Sequence, residues 1–120
     1  MVGKAVVVAL GLALIGTVRA AGADEKRARS LAATCTGCHG TDGFSVGAIP
    51  TLAGIDKECI VALMQAFRRG DRAATVMHQH ARGYTEEQIE ALASWFASRK
   101  LLGRQDASGK DPCRSPDADF

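Results

Sequence analysis

The stretch Cys35-Thr36-Gly37-Cys38-His39 decides the fold of this 120-residue chain. It places two thiols three positions apart and an imidazole directly after the second thiol. This C-x-x-C-H pattern is typical of covalent haem attachment, in which both thiols form thioethers with the vinyl groups on one edge of the macrocycle. The histidine follows immediately, so its ring can reach the iron from the proximal face. The motif therefore predicts one covalently bound haem c, attached through Cys35 and Cys38 and ligated by His39.

Residues 1–23 have the order of a secretory signal peptide. Lys4 precedes an apolar run over residues 5–18, and small residues follow at positions 20–23. The apolar run is shorter than the roughly 20 residues that span a bilayer, so we predict a cleaved leader rather than a membrane anchor. The small residues fit cleavage before Asp24, with cleavage after Ala20 as the alternative. The mature chain is thus expected in the periplasm, with no stable membrane insertion.

Two cysteines at this spacing also occur in redox pairs, zinc sites and structural disulfides. A thioredoxin-like pair begins a helix within a β-α-β unit, but here the pair ends a predicted helix and no segment alternates with the period of a strand. A zinc site needs a second ligand pair at matching spacing, which Cys59 and Cys113 do not form. The leader, the helix-end position and the following histidine together favour haem attachment over a plain disulfide.

The charge balance argues against a nucleic-acid partner. The chain has 15 Lys and Arg against 13 Asp and Glu, and Lys4 and Arg19 belong to the predicted leader. The remainder is formally neutral and has no dense run of basic residues, whereas proteins that bind phosphate backbones carry basic patches. We therefore expect no nucleic-acid binding.

The mature chain is predicted to be all-α. Glycine and proline mark two long segments as irregular, 37–55 and 71–84. Apolar residues recur at helical spacing in three other segments. These predicted helices cover residues 25–36, 57–69 and 86–102, and their apolar residues are expected to face the core. Gly70 is predicted to end the second helix. Thr85 and Gln88 are predicted to form a capping box at the start of the third.

We predict one haem domain over residues 24–104, followed by a flexible polar tail over residues 105–120. Three short helices and two long loops give a thin core, since a domain near 60 residues buries only about 60% of its unfolded surface. Such a chain usually needs a large cofactor or a covalent link inside it. The predicted haem would supply the missing apolar surface.

The sixth iron ligand has four candidates, Met64, Met77, His78 and His80. Met64 lies on the apolar face of the second predicted helix, where a methionine is usually core packing. Met77 lies in a segment expected to be irregular, from which a thioether can reach the distal face without competing with helix packing. We therefore favour Met77, with His78 or His80 as the alternative ligand and an open site as the remaining one.

Haem attachment leaves Cys59 and Cys113 unexplained. An oxidising compartment would allow them to pair and to tie the tail to the second helix. Their spacing cannot show that the two residues approach each other, so the alternative of two free thiols stays open.

From Thr34 to Arg99 the chain resembles class I c-type cytochromes, and most of all the cytochrome subunit of flavocytochrome c sulfide dehydrogenase. The resemblance extends beyond the C-x-x-C-H motif and rests on these stretches, in order: Cys38-His39-Gly40, Asp42-Gly43, Ile49-Pro50-Thr51-Leu52-Ala53-Gly54, Ala74-Thr75-Val76-Met77, Arg82-Gly83-Tyr84-Thr85 and Trp95-Phe96. It implies a single-domain class I cytochrome c fold, with three main helices and long loops around one covalent haem.

The resemblance also implies roles for three residues around the haem. Met77 matches the methionine that is the sixth iron ligand in that family, and Pro50 matches a proline whose carbonyl accepts the ring N–H of the proximal histidine. Leu52 matches a residue that packs on the haem. The chain departs from the family at His78, where glycine is usual, and at His80, where an apolar residue is usual. Two imidazoles therefore stand beside the expected ligand.

An iron with both axial positions filled has no free site for a substrate and can exchange only electrons. Since the sequence has no other cofactor motif, we expect an electron carrier and not an enzyme. The resemblance implies redox partner proteins, with an FAD-containing sulfide dehydrogenase subunit as the electron donor. Two alternatives remain: a free-standing soluble electron carrier, and a haem enzyme or gas sensor with a labile sixth ligand.

Overall fold

The computed structural model describes residue 22 and residues 24–99. The predicted tail and all but residue 22 of the predicted leader lie outside the described residues. Every regular element within residues 24–99 is helical, which confirms the all-α fold class. The elements are α1 (described over residues 24–32), α2 (Thr36–His39), a 3₁₀ turn (Thr41–Gly43), α3 (Lys57–Arg69), α4 (Met77–Arg82) and α5 (Glu86–Ala97). Over this described part, no helix is long and apolar enough to cross a membrane.

The predicted first helix, 25–36, is two helices in the structure. α1 ends at residue 32, and a turn over residues 33–35 leads into α2. Both threonines of this region, Thr34 and Thr36, donate their hydroxyls to carbonyls three residues back at 2.8 Å. Backbone N–H groups here also bond to carbonyls three residues back, which is the tighter pitch of a 3₁₀ helix. Such local side-chain bonds compete with the α-helical pattern, so α1 stops before the motif.

Helix α3 carries its apolar residues on one face. Ile60, Met64 and Phe67 lie at helical spacing and are buried. Gly70 follows in the left-handed conformation, with φ of 83°, and its N–H bonds to the Phe67 carbonyl. Glycine adopts this conformation at little cost, so α3 ends at the glycine stop that the sequence predicts.

Helix α5 begins at a capping box formed by Thr85 and Gln88, as the sequence predicts. The Gln88 N–H donates to Thr85 Oγ1 at 3.3 Å, and the Thr85 N–H donates to Gln88 Oε1 at 2.8 Å. The helix ends at Ala97, earlier than predicted. The carbonyl of Phe96 accepts the N–H of Gly54 at 2.9 Å, and this bond from the loop before α3 competes with continuation of the helix.

The segment 71–84, predicted to be irregular, contains the six-residue helix α4. A helix of fewer than two turns shows too few apolar residues for its period to be recognised in the sequence. Ala81 of α4 is fully buried, and α4 packs against α3. Tertiary packing stabilises such a short helix. Met77 therefore begins a helix, which corrects the prediction that it lies in a loop.

The core lies where α3 packs against α4 and α5. Helix α1 contributes only small buried side chains, whereas α5 contributes the largest fully buried ones, Phe96 and Ile89. The buried apolar residues are Ala28, Ala32, Ile60, Met64, Phe67, Ala81, Ile89, Leu92, Ala93, Trp95 and Phe96. The fold is thus a single small helical core with two long connections. The C-x-x-C-H motif lies in α2 and the turn before it, directly ahead of the first long connection.

Candidate haem site

His39 is the last residue of α2 and is buried, with 7% of its surface exposed. Its Nδ1 lies 2.7 Å from the carbonyl oxygen of Pro50. A carbonyl only accepts, so Nδ1 carries the proton and donates it. The ring makes no other hydrogen bond to any residue that the structure describes, which leaves Nε2 available. A histidine that ligates a metal commonly has its other ring nitrogen held in this way.

The loop that brings the Pro50 carbonyl to His39 is folded back by two glycines. Gly40 has φ of 82° and ψ of 163°, a conformation that side chains disfavour. The carbonyl of Gly43 accepts the N–H groups of Leu52 and Ala53 at 2.8 and 3.1 Å, which closes the loop just after Pro50. These backbone bonds help to place the Pro50 carbonyl, which is the hydrogen-bond partner of His39.

Gly43 also joins this loop to the core. A Cβ placed on Gly43 would lie 2.7 Å from Cδ1 of Phe96, closer than real side-chain atoms approach. The Phe96 ring of α5 therefore packs directly on the loop backbone. The nearby N–H of Gly54 donates to the Phe96 carbonyl, so the loop is held at α5 by both a ring and a hydrogen bond.

The two thiols of the motif are free and differ in environment. Cys35 is half-buried and Cys38 is exposed. Burial raises the pKa of the Cys35 thiol, an effect that its bond to the Thr34 hydroxyl opposes and that neighbouring Cys38 increases. The His39 N–H bonds to the Cys35 carbonyl at 2.9 Å. One helical turn therefore carries both thiols and the imidazole, which is the arrangement that a haem edge with two vinyl groups requires.

The candidate distal ligands fall in three different environments. Met64 is buried on the inner face of α3, as expected of core packing. Met77 is half-buried at the start of α4 and packs against the core. His78 is half-buried, and His80 is exposed. Leu52 is half-buried against the core as well. Met77 is thus a half-buried thioether at the edge of the core.

Two features of the site region escaped the sequence analysis or were left open by it. The Tyr84 hydroxyl lies 2.6 Å from Thr34 Oγ1, a contact between residues far apart in the chain that no local pattern announces. Cys59 forms a disulfide, while Cys35 and Cys38 are free. The pairing of Cys59 with Cys113 stays a prediction, because Cys113 lies outside the described residues.

The residues present fit a haem c and do not fit a zinc ion. Within residues 24–99 no three His, Cys, Asp or Glu side chains come together as a metal cluster. A covalent haem needs only what the structure places together: two thiols on one turn and one buried imidazole with an available Nε2. The bound group would supply the remaining apolar surface and the iron.

The chain belongs to the cytochrome c family, since the family model described as cytochrome c matches residues 25–100. It is a class I c-type cytochrome that carries one covalently bound haem c on its Cys35–His39 motif and transfers electrons. Among curated proteins, it is 43% identical over 74 residues to the cytochrome subunit of sulfide dehydrogenase from Chlorobaculum tepidum. That alignment covers 62% of this chain and 67% of the relative.

Two further relatives are longer than this chain. The chain is 32% identical over 93 residues to cytochrome c4 of Pseudomonas aeruginosa, covering 77% of this chain and 46% of the relative. It is 35% identical over 68 residues to a thiosulfate dehydrogenase electron acceptor of Stutzerimonas stutzeri, covering 53% of this chain and 32% of the relative. The chain thus spans less than half of these two proteins.

Proposed function

We propose that this cytochrome is a periplasmic single-electron carrier whose haem iron is ligated by His39 and Met77. The observation that carries the proposal is the orientation of His39. Its ring is buried and its Nδ1 is held by the Pro50 carbonyl at 2.7 Å, so Nε2 is the nitrogen left to bind a metal. Met77 supports it as the half-buried thioether at the start of α4.

When bound, the haem supplies a one-electron couple between Fe(III) and Fe(II). His39 provides a nitrogen ligand whose orientation is fixed by its own hydrogen bond. Met77 provides a soft sulfur ligand, and methionine with histidine raises the reduction potential relative to two nitrogen ligands. With both axial positions filled by the chain, no substrate can reach the iron. The arrangement favours electron transfer over catalysis.

Replacement of Met77 by alanine tests the ligand assignment. The variant should lose the weak red absorption band of a thioether–Fe(III) bond, and its reduction potential should fall because Fe(III) is no longer disfavoured by the soft ligand. Met64→Ala is the matched control, since it removes a buried thioether from the core of α3. That control should lose stability but keep the band and the potential. A Met77→Ala protein with the parent's band and potential would show that Met77 is only packing.

The neighbouring histidines need a separate variant. Either His78 or His80, as a neutral imidazole, can occupy the iron position that Met77→Ala vacates and keep that variant low-spin. The triple variant Met77→Ala, His78→Ala, His80→Ala removes both replacement ligands. It should be high-spin at neutral pH, whereas a low-spin triple variant would point to a ligand elsewhere in the chain.

The absorption spectrum of the unsubstituted protein tests the alternative that it is a haem enzyme or gas sensor. A haem enzyme or gas sensor has an open or labile sixth position. Such a protein would be high-spin as isolated, or would bind CO rapidly in the ferrous form. A low-spin ferric spectrum with the red band and slow CO binding would support the electron carrier.

We further infer that the electron donor is a sulfide-oxidising flavoprotein, with this chain as its haem subunit. The inference is supported by similarity to the cytochrome subunit of sulfide dehydrogenase, over about two thirds of that relative. Purification of the cytochrome from its native host tests the idea. The preparation should contain flavin in stoichiometric amount and should reduce its haem when sulfide is added. A flavin-free preparation that sulfide does not reduce would favour the free-standing carrier.

The proposal includes the limits of the leader, the haem domain and the tail. Residues 1–23 are proposed as a cleaved signal peptide, residues 24–104 as the haem domain and residues 105–120 as its tail. The intact mass of the mature protein from the periplasmic fraction tests the first limit. It should equal the chain from Asp24 plus one haem, and a mass that retains the first residues would reject cleavage.

A further inference from the structure

A chain of two hydrogen bonds links the segment after α4 to the end of α1. The Thr34 hydroxyl donates to the Leu31 carbonyl at 2.8 Å. Its oxygen lies 2.6 Å from the Tyr84 hydroxyl. Because the single Thr34 hydroxyl proton is already used, the Tyr84 hydroxyl is the donor in the second bond. The direction of both bonds is therefore defined.

This link joins the two sides of the haem site. Thr34 directly precedes Cys35, the half-buried thiol of the motif. Tyr84 lies just beyond α4, whose first residue is Met77. The Tyr84 N–H reaches the Ala81 carbonyl at 3.5 Å, so the tyrosine follows directly from the last turn of that helix. This hydrogen bond connects the attachment segment with the segment that carries Met77.

We propose that Tyr84 is a positioning residue for the Met77 sulfur. Its hydroxyl holds α4 at a defined distance from Cys35, and thereby holds the sulfur at the place where the attached haem presents its iron. The proposal rests on the proposed ligation by Met77. The tyrosine ring is half-buried against the core, so ring packing and the hydroxyl bond are two separate contributions. The hydroxyl bond reaches the attachment segment at Thr34.

The test compares five variants with the parent by their affinity for added imidazole in the ferric state. Imidazole must displace the Met77 sulfur, so a loosely held sulfur gives tighter apparent imidazole binding. Tyr84→Phe keeps the ring and removes the donor, and Thr34→Val keeps the shape and removes the acceptor. Tyr84→Phe should increase imidazole affinity roughly two- to tenfold, the range of one net hydrogen bond. Thr34→Val should increase it at least as much, because it also removes the donor to the Leu31 carbonyl. The double variant should show no more than the larger single effect, because both changes break the same bond.

Two controls separate positioning from general destabilisation. Thr34→Ser restores the hydroxyl and should bring the affinity back to the parent's value. Ser30→Ala removes the α1 hydroxyl that donates to the Lys26 carbonyl at 3.0 Å and reaches no other segment. It should leave imidazole affinity unchanged even if the melting temperature falls slightly.

The outcomes distinguish this proposal from the ligand assignment on which it rests. If Tyr84→Phe binds imidazole as the parent does, while the parent shows the thioether band, the positioning role is overturned and the ligation stands. If Ser30→Ala raises affinity as much as Tyr84→Phe, the effect is general stability and the positioning role is also overturned. If the parent itself lacks the thioether band, both proposals fail together.

Discussion

The two sides of the haem site are held by different kinds of contact. The proximal segment, residues 35–54, is held by hydrogen bonds to backbone carbonyls, including that from the His39 ring to Pro50 and that from the Gly54 N–H to Phe96 of α5. The distal segment, residues 77–84, is held by packing of Ala81 and Met77 and by one exposed hydroxyl pair. The proximal side therefore depends on backbone geometry, and the distal side depends on how well side chains pack.

This difference predicts that the two axial ligands respond differently to change. Hydrogen bonds are directional and fix an angle as well as a distance, whereas apolar burial has no preferred direction. His39 should thus stay in place under conditions that release Met77. Four substitutions test this comparison, in order of expected effect.

Gly40→Ala should lower stability the most, because it forces the backbone on the proximal side out of its conformation. A Cβ on Gly40 would overlap the carbonyl oxygen of Phe44, a backbone atom that cannot move aside. Strain and overpacking together should cost about 3–5 kcal/mol. Urea denaturation of the ferric protein measures the cost, and the yield of haem-bearing protein should also fall.

Gly70→Ala is the matched control for this backbone effect. Gly70 has the same sign of φ, at 83°, but a Cβ there meets nothing within 4 Å. It should cost only the intrinsic penalty of about 1 kcal/mol. Equal losses in the two variants would mean that the close approach at Gly40 is unimportant.

Cys59→Ala removes the disulfide at the start of α3 and should cost about 2–4 kcal/mol. Since α3 packs against α4, the distal side should loosen first. The thioether band should then disappear at lower urea than in the parent. Non-reducing peptide mapping of the unsubstituted protein should show Cys59 linked to Cys113.

Cys113→Ala provides the companion measurement. If the predicted pair is correct, it should destabilise the protein as much as Cys59→Ala, and the double variant should be no worse. A Cys113→Ala protein as stable as the parent would reject the pairing.

Ala81→Leu disturbs packing on the distal side alone and leaves the proximal segment unchanged. Ala81 is fully buried, and overpacking at such a position typically costs 1–3 kcal/mol. The variant should lose the thioether band while its haem stays attached and ligated by His39. Ala62→Leu, at an exposed position on α3, is the control and should keep the band. Loss of the band in both variants would argue against a packing effect at α4.

Lys57→Gln should have the smallest effect. Lys57 pairs with Glu90 between α3 and α5, and this partner raises the pKa of the lysine. Because folding raises this pKa, the ion pair makes its full contribution to stability at pH values below the ordinary lysine pKa of about 10.4. That contribution is lost as pH rises through the raised pKa. The melting temperature should fall slightly at low salt and less at high salt, because both side chains are partly exposed.

Glu90→Gln should reproduce that small change, since it removes the other member of the pair. Neither variant should alter the thioether band. A spectral change in either would show that the ion pair affects the haem site, contrary to the comparison above.

The sequence was most informative where a local pattern carries a complete physical meaning. The C-x-x-C-H motif identified the attachment site, Gly70 marked the end of α3, and the capping box marked the start of α5. These signals need only a few neighbouring residues. The periodic residues of α3 and α5 also predicted the buried faces, because both helices are long enough to show their period.

The sequence was least informative where distant residues decide the structure. Helix α4 is too short to show a period and depends on packing against α3. The break between α1 and α2 follows from threonine bonds that a run of helix-compatible residues does not reveal. The contact between Thr34 and Tyr84 joins segments far apart in the chain. The pairing of the two remaining cysteines could not be derived from spacing for the same reason.

The contact of Phe96 with the proximal loop has a consequence for the order of assembly. Gly43 and Gly54 both contact Phe96 of the last described helix, so the loop cannot dock on the core until that helix is present. Such a long-range contact forms slowly relative to local turns. Under the export proposed above, the chain would emerge N-terminus first, and the motif cysteines would arrive well before Phe96. Both thiols would then be accessible for haem attachment while the fold that later shields Cys35 is still incomplete.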